Sequence, residues 1–143
     1  MTDQPKILIV DDEPDILLMM RVNLESEGFV TVLAADGETA LSRVEDEQPD
    51  VVLLDVMMPV LDGWGVLEAL GRRGDRTATI VVSAKAAAAD LARAYQLGAC
   101  DYVTKPFSIE HLVATIRDVL SRSDDEREQR RRSALAELGV EVT

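Results

Sequence analysis

The sequence has little of several residue types that define whole classes of protein. It contains one cysteine, so no internal disulfide can form. No apolar run approaches the roughly 20 residues of a membrane-spanning helix, and the polar start over residues 1–6 lacks the apolar core of a signal peptide. Basic residues are also scarce: 15 Lys and Arg face 27 Asp and Glu, which leaves a formal charge of −12. Because binding to phosphate backbones requires clustered basic side chains, we expect a cytoplasmic protein that binds neither nucleic acid directly nor a membrane.

The length of 143 residues, with 47% hydrophobic residues, is sufficient for one domain around a single core. After Leu120 the sequence becomes strongly polar, so we divide the chain into a domain over residues 1–121 and a charged tail over residues 122–143. Two acid–base pairs spaced i,i+4 favour a helix in the tail, with a frayed end as the alternative: Glu126 with Arg130 and Glu128 with Arg132. The tail also carries a small apolar stripe that could serve self-association or a partner helix: Ala134, Leu135 and Leu138.

Five short segments of the sequence have the composition of β-strands. Two of them are unbroken apolar runs rich in β-branched residues, as is typical of central strands buried on both faces of a parallel sheet: Ile7–Val10 and Val51–Leu54. Three less apolar segments complete the set: Thr31–Ala34, Thr79–Val82 and Cys100–Thr104. Helical patterns separate them. This strict alternation predicts an α/β fold with a doubly wound, five-stranded parallel sheet.

Local signals mark where the helices begin and end. Pro14 suits a first helical position, and Asp36 and Ser108 suit the N-caps of the second and fifth helices. Gly28 supplies a left-handed stop after the first helix. The alanine run over residues 86–89 is predicted to begin the fourth helix.

Polar residues stand just past the ends of four predicted strands: Asp11 and Asp12, Asp55, Ser83, and Lys105 followed by Pro106. The carboxyl ends of parallel strands share one edge of a sheet, where open α/β folds bind ligands. Carboxylates that meet there raise one another's pKa unless a cation neutralises them. Hard oxygen ligands with no His or Cys nearby favour Mg²⁺, which keeps several waters when a protein binds it.

Asp55 is the candidate nucleophile of this group. The open positions of a bound Mg²⁺ can accept phosphate oxygens, Lys105 can neutralise charge on a transferring phosphoryl group, and Ser83 can hydrogen-bond one of its oxygens. Asp55, Ser83 and Lys105 are therefore the predicted catalytic residues, and the product is an aspartyl phosphate.

In order and spacing these residues resemble the receiver domain of bacterial two-component response regulators, the CheY-like superfamily. The resemblance covers about residues 5–121 and rests on four motifs: Asp11-Asp12-Glu13-Pro14; Leu54-Asp55-Val56-Met57-Met58-Pro59 with Asp62-Gly63; Ser83-Ala84-Lys85; and Asp101-Tyr102-Val103-Thr104-Lys105-Pro106-Phe107. It implies a flavodoxin-like sheet with the strand order 2-1-3-4-5.

The same resemblance implies how the metal and the phosphoryl group are held. Asp55 would accept phosphate from a sensor histidine kinase or a phosphotransfer protein, and Asp12 and Asp55 would bind Mg²⁺ directly. The chain would be a signalling domain that catalyses only its own phosphoryl transfer and dephosphorylation, not an enzyme that turns over a metabolite. Asp11 would act through water, and the backbone carbonyl of Met57 would complete the metal site.

The resemblance further implies how the signal leaves the site. Ser83 and Tyr102 would form a switch pair, and the Lys105–Pro106 peptide bond would be cis. We expect output by contact with a downstream protein effector, with homodimerisation as the alternative, through the face built by the fourth helix, the fifth strand and the fifth helix.

Two other interpretations stay open at this point. The chain could be the N-terminal receiver fragment of a longer regulator with a DNA-binding or enzymatic output domain. It could also be an aspartate-nucleophile phosphohydrolase, but such enzymes usually carry a second acid two residues after the nucleophile, and here that residue is Met57.

Overall fold

A computed structural model describes residues 4–58, 61–74 and 77–140 of the chain. Within them strands and helices alternate, and a sixth helix follows the fifth. The elements are β1 Lys6–Val10, α1 Pro14–Ser26, β2 Val30–Ala34, α2 Gly37–Glu47, β3 Val51–Leu54, α3 Gly63–Arg72, β4 Ala78–Ser83, α4 Ala88–Gln96, β5 Asp101–Thr104, α5 Ile109–Ser121 and α6 Asp124–Glu137.

The five strands form one parallel sheet in the order β2-β1-β3-β4-β5, which confirms the predicted α/β fold and strand order. In β1, Ile7 and Ile9 point into the core layer beneath α1 and α5, whereas Leu8 and Val10 point into the layer beneath α2, α3 and α4. Because successive side chains of a strand face opposite sides, a central strand covered on both faces must be apolar throughout. The unbroken apolar runs of β1 and β3 have this cause.

Several helix ends are stabilised by the residues that the sequence indicated. Pro14 is the first residue of α1, and Gly28, two residues after the helix ends, has the left-handed φ angle of 93°. The side chain of Asp36 accepts a hydrogen bond from Thr39 N over 2.8 Å, and Ser108 accepts one from His111 N over 3.0 Å. These caps satisfy backbone donors that the first turn of a helix leaves unpaired.

Several predicted boundaries were wrong by one or two residues, and β1, β2 and β4 each begin one residue earlier than predicted, at Lys6, Val30 and Ala78. Ser83 is the last residue of β4 and does not stand beyond it, because its backbone still pairs with Thr104 of β5. The fourth helix begins at Ala88, so the first two alanines of the run lie in the preceding loop. The fifth strand begins at Asp101, one residue after Cys100.

The tail contains α6, which begins with a reciprocal capping box between Ser123 and Glu126. Leu135 of this helix is only 2% exposed. The proposal of an apolar stripe for self-association was therefore wrong at Leu135, because this chain itself buries that side chain.

None of the described helices is long and apolar enough to cross a membrane. Pro59 of the second motif, and both ends of the chain, lie outside the described residues.

Candidate functional site

The carboxyl ends of β1 and β3 bring three acidic residues together. Val10 and Leu54 are partners in the parallel ladder, so the residues that follow them, Asp11 and Asp55, leave the sheet side by side. Asp55 N also donates to the Val10 carbonyl over 3.0 Å, which continues the pairing by one residue. Carboxylate oxygens of Asp11, Asp12 and Asp55 all lie within 4.8 Å of one another.

The loops after these strands orient the two buried carboxylates in the same way. Oδ1 of Asp11 accepts the backbone N–H of Glu13, and Oδ1 of Asp55 accepts that of Met57, both over 2.9 Å. Such bonds to the residue two positions on are characteristic of short loops that begin with aspartate. They leave Oδ2 of each residue available to the Lys105 ammonium.

Lys105 reaches this pair from the end of β5. Its Nζ lies 2.9 Å from Oδ2 of Asp11 and 3.2 Å from Oδ2 of Asp55. Its backbone N donates to the Ser83 carbonyl over 2.9 Å, so β4 and β5 hold Ser83 and Lys105 next to each other. The Lys105–Pro106 peptide bond is cis.

Burial and charge act against each other in this group. Asp11 is 2% and Asp55 6% exposed, whereas Asp12 is open to solvent. Burial raises the pKa of the Asp55 carboxyl, although the Met57 N–H and the charge of Lys105 oppose the rise. Burial by itself would lower the pKa of Lys105, but its hydrogen bond to Asp11 and the charges of Asp55 and Asp11 outweigh this and raise it. Lys105 is therefore held as a cation.

The chemistry of the donor set fits a hard divalent cation. Three carboxylates can each offer one oxygen to a common point, and oxygen ligands of this kind are those that Mg²⁺ prefers. One lysine cannot neutralise three carboxylates. Asp12 faces solvent, so the cluster is open to a hydrated ion on that side.

Ser83 and Tyr102 are connected through Lys85. Ser83 is fully buried, and its Oγ accepts the backbone N–H of Lys85 over 3.1 Å. The hydroxyl of Tyr102 donates to the Lys85 carbonyl over 2.6 Å. Lys85, in the loop that follows β4, is therefore bonded through its N–H to Ser83 and through its carbonyl to a half-buried tyrosine.

Gly63, the glycine of the Asp62-Gly63 pair, has a role that its sequence motif does not reveal. A β-carbon on Gly63 would overlap the backbone of Asp55 and Val56, so only glycine lets α3 begin this close to the acidic loop. Asp62 caps α3 by accepting the N–H of Gly65 over 2.9 Å. An Asp-Gly pair a few residues after a strand was the available signal, but the contact itself depends on packing.

The comparisons with known proteins agree on one family. A family model described as "Response regulator receiver domain" matches residues 7–117. The alkaline phosphatase synthesis transcriptional regulatory protein PhoP of Bacillus subtilis is 41% identical over 119 residues, which are 83% of this chain and 50% of PhoP. The DNA-binding response regulator MtrA of Mycolicibacterium smegmatis is 39% identical over 125 residues, which are 87% of this chain and 54% of MtrA.

Solved structures give the same result for the fold. The receiver domain of the Francisella response regulator 1452 superposes with a TM-score of 0.80 at 34% identity, covering 83% of this chain and 98% of that one. The match covers nearly the whole of a separately solved receiver domain, whereas this chain spans only about half the length of the curated relatives.

Proposed function

This chain belongs to the family of response regulator receiver domains, and from that premise we propose that it is a phosphorylation-dependent switch whose phosphoacceptor is Asp55. The donor is a sensor histidine kinase or a phosphotransfer protein. The observation that carries the proposal is the position of the Lys105 ammonium, 3.2 Å from Asp55, in a group of three carboxylates at one edge of the sheet. A structural ion pair would require one acid, not three.

The chain's own residues supply most of the proposed reaction. A carboxylate oxygen of Asp55 attacks phosphorus, and a new O–P bond forms while the bond from phosphorus to the donor breaks and the donor leaves with its electron pair. Lys105 stabilises the charge on the phosphoryl oxygens, and Ser83 Oγ donates a hydrogen bond to one of them. Mg²⁺, which Asp11, Asp12 and Asp55 would hold with the Met57 carbonyl, would supply further neutralisation of that charge.

Intact-protein mass spectrometry with acetyl phosphate and Mg²⁺ tests this proposal. Wild type should gain one phosphoryl group, and Asp55→Asn should gain none. Asp50→Asn is the matched control because Asp50 lies at the opposite end of β3, where its carboxylate accepts the backbone N–H of Lys6. Equal labelling of wild type and Asp55→Asn, or full labelling of wild type in excess EDTA, would show that the assignment is wrong.

We further propose that Ser83 and Tyr102 carry the signal to the surface formed by α4, β5 and α5. Ser83 would turn from the Lys85 N–H toward the phosphoryl oxygens, and Tyr102 would leave the Lys85 carbonyl and move inward. The output would be contact with a protein effector or a second copy of this chain.

A second candidate concerns the protein as a whole. The relatives PhoP and MtrA are named a transcriptional regulatory protein and a DNA-binding response regulator, and this chain spans about half of each. If the natural protein is longer, this receiver would control a separate output domain. The coding sequence that follows codon 143 decides between the two.

A further inference from the structure

Helix α6 is anchored to α4 and β5, the two elements on either side of the Lys85–Tyr102 contact. Nη1 of Arg131 donates to the carbonyl of Tyr95, near the end of α4, over 2.8 Å. Nη2 of Arg130 lies 3.5 Å from Oδ2 of Asp101, the first residue of β5. Leu135, one turn after Arg131, is buried. The helix is therefore held by specific bonds and is not a loose extension.

The carboxylate of Asp101 joins three elements. One oxygen lies near Arg130 of α6, and the other accepts the backbone N–H of Tyr102 over 2.8 Å and the hydroxyl of Tyr95 over 3.4 Å. Burial and the charge of Asp101 raise the pKa of Tyr95 to about 12, which keeps that hydroxyl a donor. A change at Tyr102 or in α4 would therefore alter the hydrogen bonds of the Asp101 carboxylate, which is one of the groups that bind α6.

Tyr102 continues this series of bonds to the acidic site. Its hydroxyl donates to the Lys85 carbonyl, and the Lys85 N–H donates to Oγ of Ser83. Helix α4, which carries Tyr95, begins at Ala88, three residues after Lys85. A route of hydrogen bonds, joined by the covalent frames of Lys85, Tyr102 and Asp101, thus leads from the Ser83 hydroxyl to the side chain of Arg130.

We propose that α6 is an intramolecular clamp on the α4–β5 face, and that docking of α6 and occupation of the Asp55 site oppose each other. This inference rests on the proposed function, because it requires that a phosphoryl group at Asp55 draws Ser83 and Tyr102 away from Lys85. The bonds from α6 to Tyr95 and Asp101 are formed in the arrangement in which Tyr102 contacts Lys85, so docking of α6 is expected to favour that arrangement. A ligand that favours the other arrangement must weaken docking, and by linkage docking must weaken the ligand by the same factor.

Hydrogen exchange on the intact protein measures the first half of this linkage. Wild type is compared in Mg²⁺ alone and in Mg²⁺ with beryllofluoride, a phosphoryl mimic. Couplings of this kind are typically about 5- to 150-fold, so amides of α6 should exchange at least about 5 times faster when beryllofluoride is bound. Unchanged exchange in α6, with beryllofluoride bound, would overturn the clamp.

Variants of α6 measure the second half. Arg131→Gln combined with Leu135→Ala removes two anchors and should bind beryllofluoride more tightly by the factor found in the exchange experiment. Arg132→Gln is the matched control, because it removes the same charge from the same helix. Arg132 is exposed and is paired only with Glu128 of α6 among the contacts described. Equal beryllofluoride affinities for wild type and the double variant would also overturn the clamp.

The two proposals fail differently in these experiments. If Asp55 is phosphorylated and beryllofluoride binds, but α6 does not respond, only the clamp is wrong. If wild type and both variants neither bind beryllofluoride nor accept phosphate, the proposed function and the clamp are both wrong. Should the double variant fail to fold, the exchange experiment on wild type still decides.

Discussion

The ammonium of Lys105 donates a hydrogen bond to Oδ2 of Asp11, 2.9 Å away and 94 residues earlier in the chain. The same ammonium contacts Asp55, so it occupies the position of a cation between two buried carboxylates. It stabilises them in the folded protein, and it also competes with any second cation for the same oxygens.

Replacing Lys105 with Met should separate metal binding from phosphoryl transfer. Mg²⁺ should bind more tightly, because no ammonium competes for Asp11 and Asp55, while phosphorylation by acetyl phosphate should slow by about 100-fold with the loss of one charge-stabilising group. Calorimetry and mass spectrometry measure the two effects. The exposed Lys85 provides the control Lys85→Met, and weaker Mg²⁺ binding in Lys105→Met would contradict the competition argument.

Asp55→Asn should raise the thermal stability of the metal-free protein near neutral pH. Burial raises the pKa of Asp55 from 3.8, so the folded state holds this proton to a higher pH than the unfolded state. Ionised Asp55 therefore costs stability above its folded pKa, and that cost disappears as the pH falls through this pKa to below 3.8. Melting in EDTA across this pH range should show a gain for Asp55→Asn at neutral pH that shrinks on acidification. A gain that does not vary with pH would contradict this cause.

Gly63→Ala should destabilise the protein by about 1–3 kcal/mol, because its β-carbon would overlap the backbone that carries Asp55. It should also slow phosphorylation, since the overlap displaces the nucleophile. Denaturant unfolding and acetyl phosphate kinetics measure the two effects.

Gly71→Ala is the matched control for that substitution. Gly71 lies in the same helix with open space around its α-carbon, so alanine there should stabilise by up to about 1 kcal/mol. Similar stability changes at the two positions would mean that helix propensity, not the contact with Asp55, governs residue 63.

Beryllofluoride with Mg²⁺ should move Tyr102 from its contact with the Lys85 carbonyl to a more buried position. The equilibrium is shifted and not created, so a minor population of inward Tyr102 should exist before the ligand is added. NMR of the tyrosine ring, or crystallography with and without the mimic, measures both populations. Tyr102 in the same environment in both states would count against the switch.

This chain should bind DNA poorly near physiological salt, because its formal charge is −12 and its only run of three basic residues lies in α6 beside Glu128. Arg131 and Arg132 of that run are both paired with Glu128, which leaves them less available to phosphates. Fluorescence anisotropy with labelled duplexes measures the affinity. Sub-micromolar, sequence-specific binding near 150 mM salt would contradict the expectation.

Local signals in the sequence were sufficient for the five strands and most helix starts, whereas the strand order was predicted from the resemblance to receiver domains. Asp36 and Ser108 cap helices because a capping side chain bonds a backbone N–H only three residues away. The ends of strands were harder to predict, because the last residue of a strand is defined by its pairing with a neighbouring strand. Ser83 belongs to β4 because it pairs with Thr104 of β5, and no local pattern in the sequence shows that pairing.

By itself the sequence determined the fold class and the residues gathered at one edge of the sheet, because alternation of strand and helix sends the end of each parallel strand to the same side. Only the tertiary structure decided which oxygens face Lys105, why residue 63 must be glycine, and where α6 docks. The bond from Arg131 to Tyr95 spans 36 residues and that from Lys105 to Asp11 spans 94. Contacts of that kind depend on how whole elements pack, whereas periodicity and capping act over a few residues.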